Sequence, residues 1–107
     1  ADAERREAER LRQMQEAEEA RRARLKALRQ RGEHVWREVE EGIERRNATG
    51  YDRAAGLLLD LQALAREQGG QADFSRRLAS IRMRHEKKGK FIERLARIER
   101  DNGGDDG

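Results

Sequence analysis

The sequence predicts an all-α protein: a long charged N-terminal helix leading into a small antiparallel bundle of three to four helices. Three features point there. Proline is absent, so nothing forbids long uninterrupted helix. Large apolar residues recur at helical spacing, as in Leu57, Leu58, Leu61 and Leu64 at i, i+1, i+4 and i+7. Glycine-bearing breaks at Asn47-Ala48-Thr49-Gly50, Gly69-Gly70 and Gly89 cut the apolar stripes into helix-length pieces. Each helix alone would leave its stripe in water, so short connections fold them back on one another as helical hairpins.

Residues 1–33 are almost wholly Ala, Glu, Arg, Gln and Leu, all strong helix formers. Arg5 with Glu9, Arg12 with Glu16 and Glu18 with Arg22 stand at helical spacing, each pair adding ~0.2–0.5 kcal/mol without supplying a core. Leu11, Met14, Leu25, Leu28, Val35 and Val39 share one heptad track, but Glu18, Arg21 and Gly32 interrupt it. The segment reads as a charged helical extension, either a solvated helix or a coiled-coil arm.

Residues 34–100 read as the bundle. Val35, Trp36, Val39 and Ile43 form the first stripe, the Leu57–Leu64 run the second, Phe74, Leu78 and Ile81 the third, and Phe91, Ile92, Leu95 and Ile98 the last. Asn47 is expected on the C-terminal side of the first bundle helix, with Thr49 capping the next helix and Asp52 in its first turn. Asp73 opens the following helix. The segment Arg82–Lys90 closes it, with cations where the macrodipole favours them and Gly89 as the stop. The final helix is expected from about Lys90 to Arg100, and residues 101–107, lacking any apolar side chain, as a disordered tail.

Two resemblances follow from these residues. Gly42, followed by Tyr51-Asp52-Arg53-Ala54, resembles a tetratricopeptide-like helical hairpin. The string from Tyr51 to Leu95 has a Y-D-x-A-x-x-L-L-x-D-L start and a Gly-Gly break. It continues as F-x-x-R-L-A-x-I-R-x-R-H and K-x-x-F-x-x-R-L. Carried by Tyr51, Asp52, Ala54, Leu57, Leu58, Asp60, Leu61, Phe74, Leu78, Arg82, Arg84, His85, Phe91 and Leu95, it resembles the helical C-terminal region of bacterial SWIM-type zinc-finger proteins. That resemblance implies an accessory helical segment of a protein tied to nucleic-acid or protein contacts. The family's zinc-binding Cys/His set is absent from this chain, so no metal site is carried over.

Composition narrows the function. Charged residues make up 44% and hydrophobic ones 35%, which keeps the core of this 107-residue chain small. The absence of cysteine removes disulfides, thiolate metal sites and thiol nucleophiles together. No apolar run nears the roughly 20 residues of a membrane span, and no signal-peptide core is present, so a cytoplasmic location is expected. The chain opens at Ala1 directly in a charged helical pattern, as a piece cut from a longer protein would. The net charge of +3 is uneven: residues 70–100 carry ten Lys/Arg against four Asp/Glu, whereas 34–69 carry five against seven.

Candidate chemistry is sparse. His34 and Glu38 stand at i, i+4, two ligands where a closed metal site needs more. His85 continues the Phe74–Ile81 stripe and is expected to pack at a helix end, its charge open to pH. Asp60 interrupts the leucine run and is expected to meet Arg53, Arg76 or Arg77 in an ion pair. No carboxylate pair, nucleophile context or phosphate loop stands out, so no catalytic residue, cofactor, metal or small-molecule substrate is expected. Arg76, Arg77, Arg82, Arg84, Lys87, Lys88 and Lys90 promise a concentrated positive surface for phosphate backbone or an acidic partner, without aromatic stacking platforms beside it. Trp36, at the join of arm and bundle, is either a buried anchor or an exposed docking residue. Two function classes result: a non-catalytic protein-interaction module working through another protein or a homodimer, and a nucleic-acid-associated accessory domain working through residues 76–90.

Overall fold

The computed structural model describes residues 1–104, and they form five helices with no strand among them. These are α1 (Asp2–Arg31), α2 (His34–Glu44), α3 (Ala48–Gln68), α4 (Gln71–Arg84) and α5 (Gly89–Gly104). The all-α class and the long N-terminal helix are therefore as expected, and the bundle after the arm has four helices.

The glycine breaks act where backbone geometry needs them. Gly32 ends α1 at φ 57°, its N–H donating to the Arg29 carbonyl. Gly69 ends α3 in the left-handed region at φ 74°, and both it and Gly70 return their N–H groups to the Ala65 carbonyl.

The hub of the bundle is α3, which touches all four other helices. The core joins Leu28 of α1 to Val35, Val39 and Ile43 of α2, and to Tyr51, Ala54, Leu58 and Leu61 of α3. Phe74, Leu78 and Ile81 of α4 and Phe91, Leu95 and Ile98 of α5 complete it. Each large side chain removed from water stabilises by ~1.5–3 kcal/mol before chain entropy is subtracted. Gln62 is buried on the same hub, and its amide donates to the Ile98 carbonyl at 3.2 Å, tying α3 to α5. The α2–α3 crossing is close because Gly42, Gly50 and Ala54 meet there. A Cβ on Gly42 would stand 2.7 Å from the Gly50 carbonyl oxygen, and one on Gly50 would come nearer still to that of Gly42.

Helix α1 has two unlike halves. Its C-terminal half buries Leu25 and Leu28 and runs antiparallel to α3, pairing Arg24 with Asp60 at 3.3 Å and Arg21 with Glu67 at 3.1 Å. Because α3 stops at Gln68, the residues before Glu18 have nothing beneath them, and residues 1–17 are all exposed. At 1.5 Å per residue this overhang reaches ~24 Å past the bundle, consistent with overall dimensions of 58 × 31 × 30 Å.

Several local expectations are corrected. Asn47 belongs to the next helix: it is the N-cap of α3, its Oδ1 accepting from the Gly50 N–H at 2.8 Å, while Thr49 lies inside the first turn. Asparagine suits both ends of a turn, and here the side-chain acceptor satisfies an orphan donor that the C-terminal end of α2 does not offer. Gly89 starts α5 and does not stop α4, which ends at Arg84 with His85 following it. Residues 101–104, expected in a disordered tail, continue α5, because Asn102 donates to Ser75 Oγ at 2.8 Å and Arg66 donates to the Asp101 carbonyl. Residues 105–107 of that expected tail lie outside the described residues. Asp60 meets Arg24 of α1, and not Arg53, Arg76 or Arg77.

Candidate interaction surfaces

The basic residues of α4 radiate around the helix and do not make one positive face. Arg77 turns toward α2, where its guanidinium forms two 2.7 Å hydrogen bonds to Glu33 and a third, 3.1 Å, to Asp73 on its own helix. Hydrogen bonding to Arg77 holds the Glu33 carboxyl below the ordinary glutamate range and raises Arg77 in return. Arg84 also faces α2 and pairs with Glu40. Arg82 faces the other way and donates to Glu99 of α5 at 2.7 Å. Lys88 stands 3.0 Å from His85 Nδ1 and 3.7 Å from Glu44, and Lys90 stands 4.0 Å from Glu93. Arg76, well exposed, has only a 3.5 Å contact with Asp73. Lys87 has no acidic partner among the described residues. Part of the sequence excess of cations in residues 70–100 is thus matched by acids from outside that stretch, Glu33 before α2, Glu40 and Glu44 on α2 and Asp52 on α3, at separations no helical spacing rule could see.

Trp36 is half-buried. Its ring lies 6.1 Å from Phe74 between centroids, and the Arg77 guanidinium stands 4.9 Å above it, near enough for a cation–π contact. It anchors α2 to α4 while leaving one edge in an open groove of about 520 Å³. Ile81 shares that groove with Trp36, and Glu33, Arg37, Arg77 and Arg84 rim it. A second groove, between α3 and α5, has Ala55, Leu59 and Ile98 at its base. Both grooves are shallow and charged at the rim.

His85 is buried, as its place on the stripe predicted, with its ring edge-on to Phe91 at 6.3 Å. An ammonium cannot accept a hydrogen bond, so Lys88 makes Nδ1 the acceptor. The proton then sits on Nε2, which donates to Glu40 at 2.7 Å. Glu40, Glu44 and His85 bring three donor atoms within 4.8 Å, a spacing sequence reasoning did not foresee across 45 residues. Arg84 and Lys88 already supply the two positive charges these carboxylates need. A divalent ion there would have to displace Lys88, so the cluster works as a polar clamp between α2 and the α4–α5 turn. His34 is exposed, and its sequence neighbour Glu38 is engaged by Arg31 and Arg53.

The remaining surface is the α1 overhang. Leu11 and Met14 are 48% and 56% exposed on a helix otherwise covered in ion pairs, among them Glu7 with Arg10 and Glu18 with Arg21 and Arg22. The two arginines hold Glu18 below its ordinary range by hydrogen bonding. No helix among the described residues is long and apolar enough to cross a membrane. No protein-family model, curated protein or solved structure matches the chain.

Proposed function

We propose that this chain is a non-catalytic α-helical interaction module whose presented element is the overhanging half of α1. One observation carries the reading: every residue from 1 to 17 is exposed, yet the helix continues past the end of α3 and displays Leu11 and Met14. A solitary charged helix of this length is marginal in water, held by weak ion pairs, and it gains most from a partner laid along it. The likeness of residues 51–95 to accessory helical segments supports the same reading, with the bundle as the platform. The charge matching around α4 supports protein contact over phosphate-backbone contact, since most of those cations would have to leave an acid first.

The test removes residues 1–17 and follows the bundle by thermal and urea unfolding. Because those residues bury nothing within their own chain, the midpoint should move by no more than about 2 °C in solution dilute enough to be monomeric. A large loss of stability would make the arm part of the core and remove the reading. Filter binding of generic DNA and RNA at two salt concentrations should find no tight, salt-steep complex. One that disappears on replacing Arg82, Arg84, Lys87 and Lys88 would put a nucleic-acid accessory domain in its place.

A further inference from the structure

Building on the reading of α1 as a presented arm, we infer its occupant: the overhang docks antiparallel on the outer face of α4 in a second copy of this chain. That copy's arm returns the contact across a twofold axis. On the arm, Glu7, Leu11, Met14 and Glu18 stand at 4-3-4 spacing and so share one narrow face. Helix α4 buries Phe74, Leu78 and Ile81, which turns Ala72, Arg76, Ala79 and Met83 outward, and all four are exposed. Met83 is 76% exposed, and of the four exposed large apolar side chains among the described residues, three (Leu11, Met14, Met83) belong to these two faces.

The two faces fit in one register. With Leu11 over Met83, Met14 falls over Ala79 and Glu18 over Arg76, while Glu7 reaches the turn at Lys87. Seven residues separate Leu11 from Glu18 and Arg76 from Met83, ~10 Å of helix axis in each case. The apolar layers therefore meet in the middle and opposite charges meet at both ends. Arg76 and Lys87 are the least committed cations of the α4 segment, one with a 3.5 Å contact and the other with no acid among the described residues. Arg10 and Arg84, which flank the contact, are held by Glu7 and Glu40. Pairing arm on arm is worse. A parallel pair sets Glu7 and Glu18 against themselves, and an antiparallel pair centred on Leu11 and Met14 sets Glu7 against Glu18. The wider charge agrees: residues 1–20 hold seven Asp/Glu and four Arg, whereas residues 21–104 hold 21 Lys/Arg and 13 Asp/Glu. A single arm contact is small, and the twofold doubles it.

Sedimentation equilibrium of the full chain over a wide concentration range should show a monomer–dimer equilibrium. Met83→Glu should weaken it about tenfold or more, with an unchanged thermal midpoint at concentrations low enough for both chains to be monomeric, because the side chain then stands in solvent. Glu7→Lys and Lys87→Glu should each weaken the dimer, and together restore it. The chain has no cysteine, so Leu11→Cys with Met83→Cys should oxidise to a covalent dimer, while Leu11→Cys with Ala72→Cys should not. A monomer at every concentration, a dimer indifferent to Met83→Glu, or equal cross-linking by Leu11→Cys alone would overturn the docking. A monomeric chain whose bundle is stable without the arm loses only the second copy as occupant. A bundle that melts without the arm removes the underlying reading.

Discussion

The close crossing of α2 on α3 predicts opposite outcomes for one substitution made at two helical glycines. Alanine is favoured over glycine inside a helix by ~1 kcal/mol. At Gly56 a Cβ meets nothing within 4 Å, so Gly56→Ala should keep that gain and stabilise by ~1 kcal/mol. At Gly42 the new Cβ stands 2.7 Å from the Gly50 carbonyl oxygen and 3.3 Å from the Ala54 Cβ. Overpacking costs ~1–3 kcal/mol, and the upper end applies because a backbone carbonyl cannot rotate away as a side chain would. After the helical gain, Gly42→Ala should be destabilising by ~2 kcal/mol, leaving ~3 kcal/mol between the two variants. For a domain of this size each kcal/mol moves the melting midpoint by ~4–8 °C. Gly56→Ala should therefore rise by ~4–8 °C and Gly42→Ala fall by ~8–16 °C in far-ultraviolet circular dichroism melts. Urea titrations with unchanged slopes would verify that native compactness is the same. If both variants shift in the same direction, the crossing does not constrain the fold as described.

Three further outcomes follow from local contacts. Asn47→Ala should cost about 1 kcal/mol in urea unfolding through loss of the α3 cap, whereas Asn47→Asp should be nearly neutral. His85→Ala should cost ~2–4 kcal/mol, since it opens a cavity beside Phe91 and strips a buried partner from Glu40. Glu33 titrates below its ordinary range in the folded chain, so its pairing with Arg77 contributes fully above that range and is lost as pH falls through the depressed value. Arg77→Met should return the Glu33 carboxyl midpoint upward in an NMR acid titration, and a midpoint that stays low would remove Arg77 as the cause.

What the sequence displayed well was anything written in one helix. The stripes ending in Ile43, Leu64, Ile81 and Ile98 all pack on the core, with Trp36, Leu57, Leu64 and Ile92 only partly buried, and the Gly69 break falls where a left-handed residue is needed. What it hid was anything assembled between helices. Glu33 with Arg77, Glu40 with His85 and Arg82 with Glu99 are joined only by the fold, so a cation-rich stretch looked like a free positive surface. Boundaries failed for a related reason. Glycine at 89 and asparagine at 47 each serve a helix start as readily as an end, and only the next hydrogen bond decides. The overhang was half visible: the heptad track was plain, but where α3 ends relative to α1 depends on the antiparallel pairing of Arg24 with Asp60 and Arg21 with Glu67.

Trp36 is the single tryptophan of the chain, and its placement makes the molecule its own optical probe. The indole rests against Phe74 and beneath Arg77, with one edge open to the α2–α4 groove. Emission from that one fluorophore therefore tracks how tightly the first hairpin grips the second, and shifts to longer wavelength as soon as water reaches the seam. An unlabelled sample can in this way report a loosened groove directly, because the indole's ring contacts are with α4.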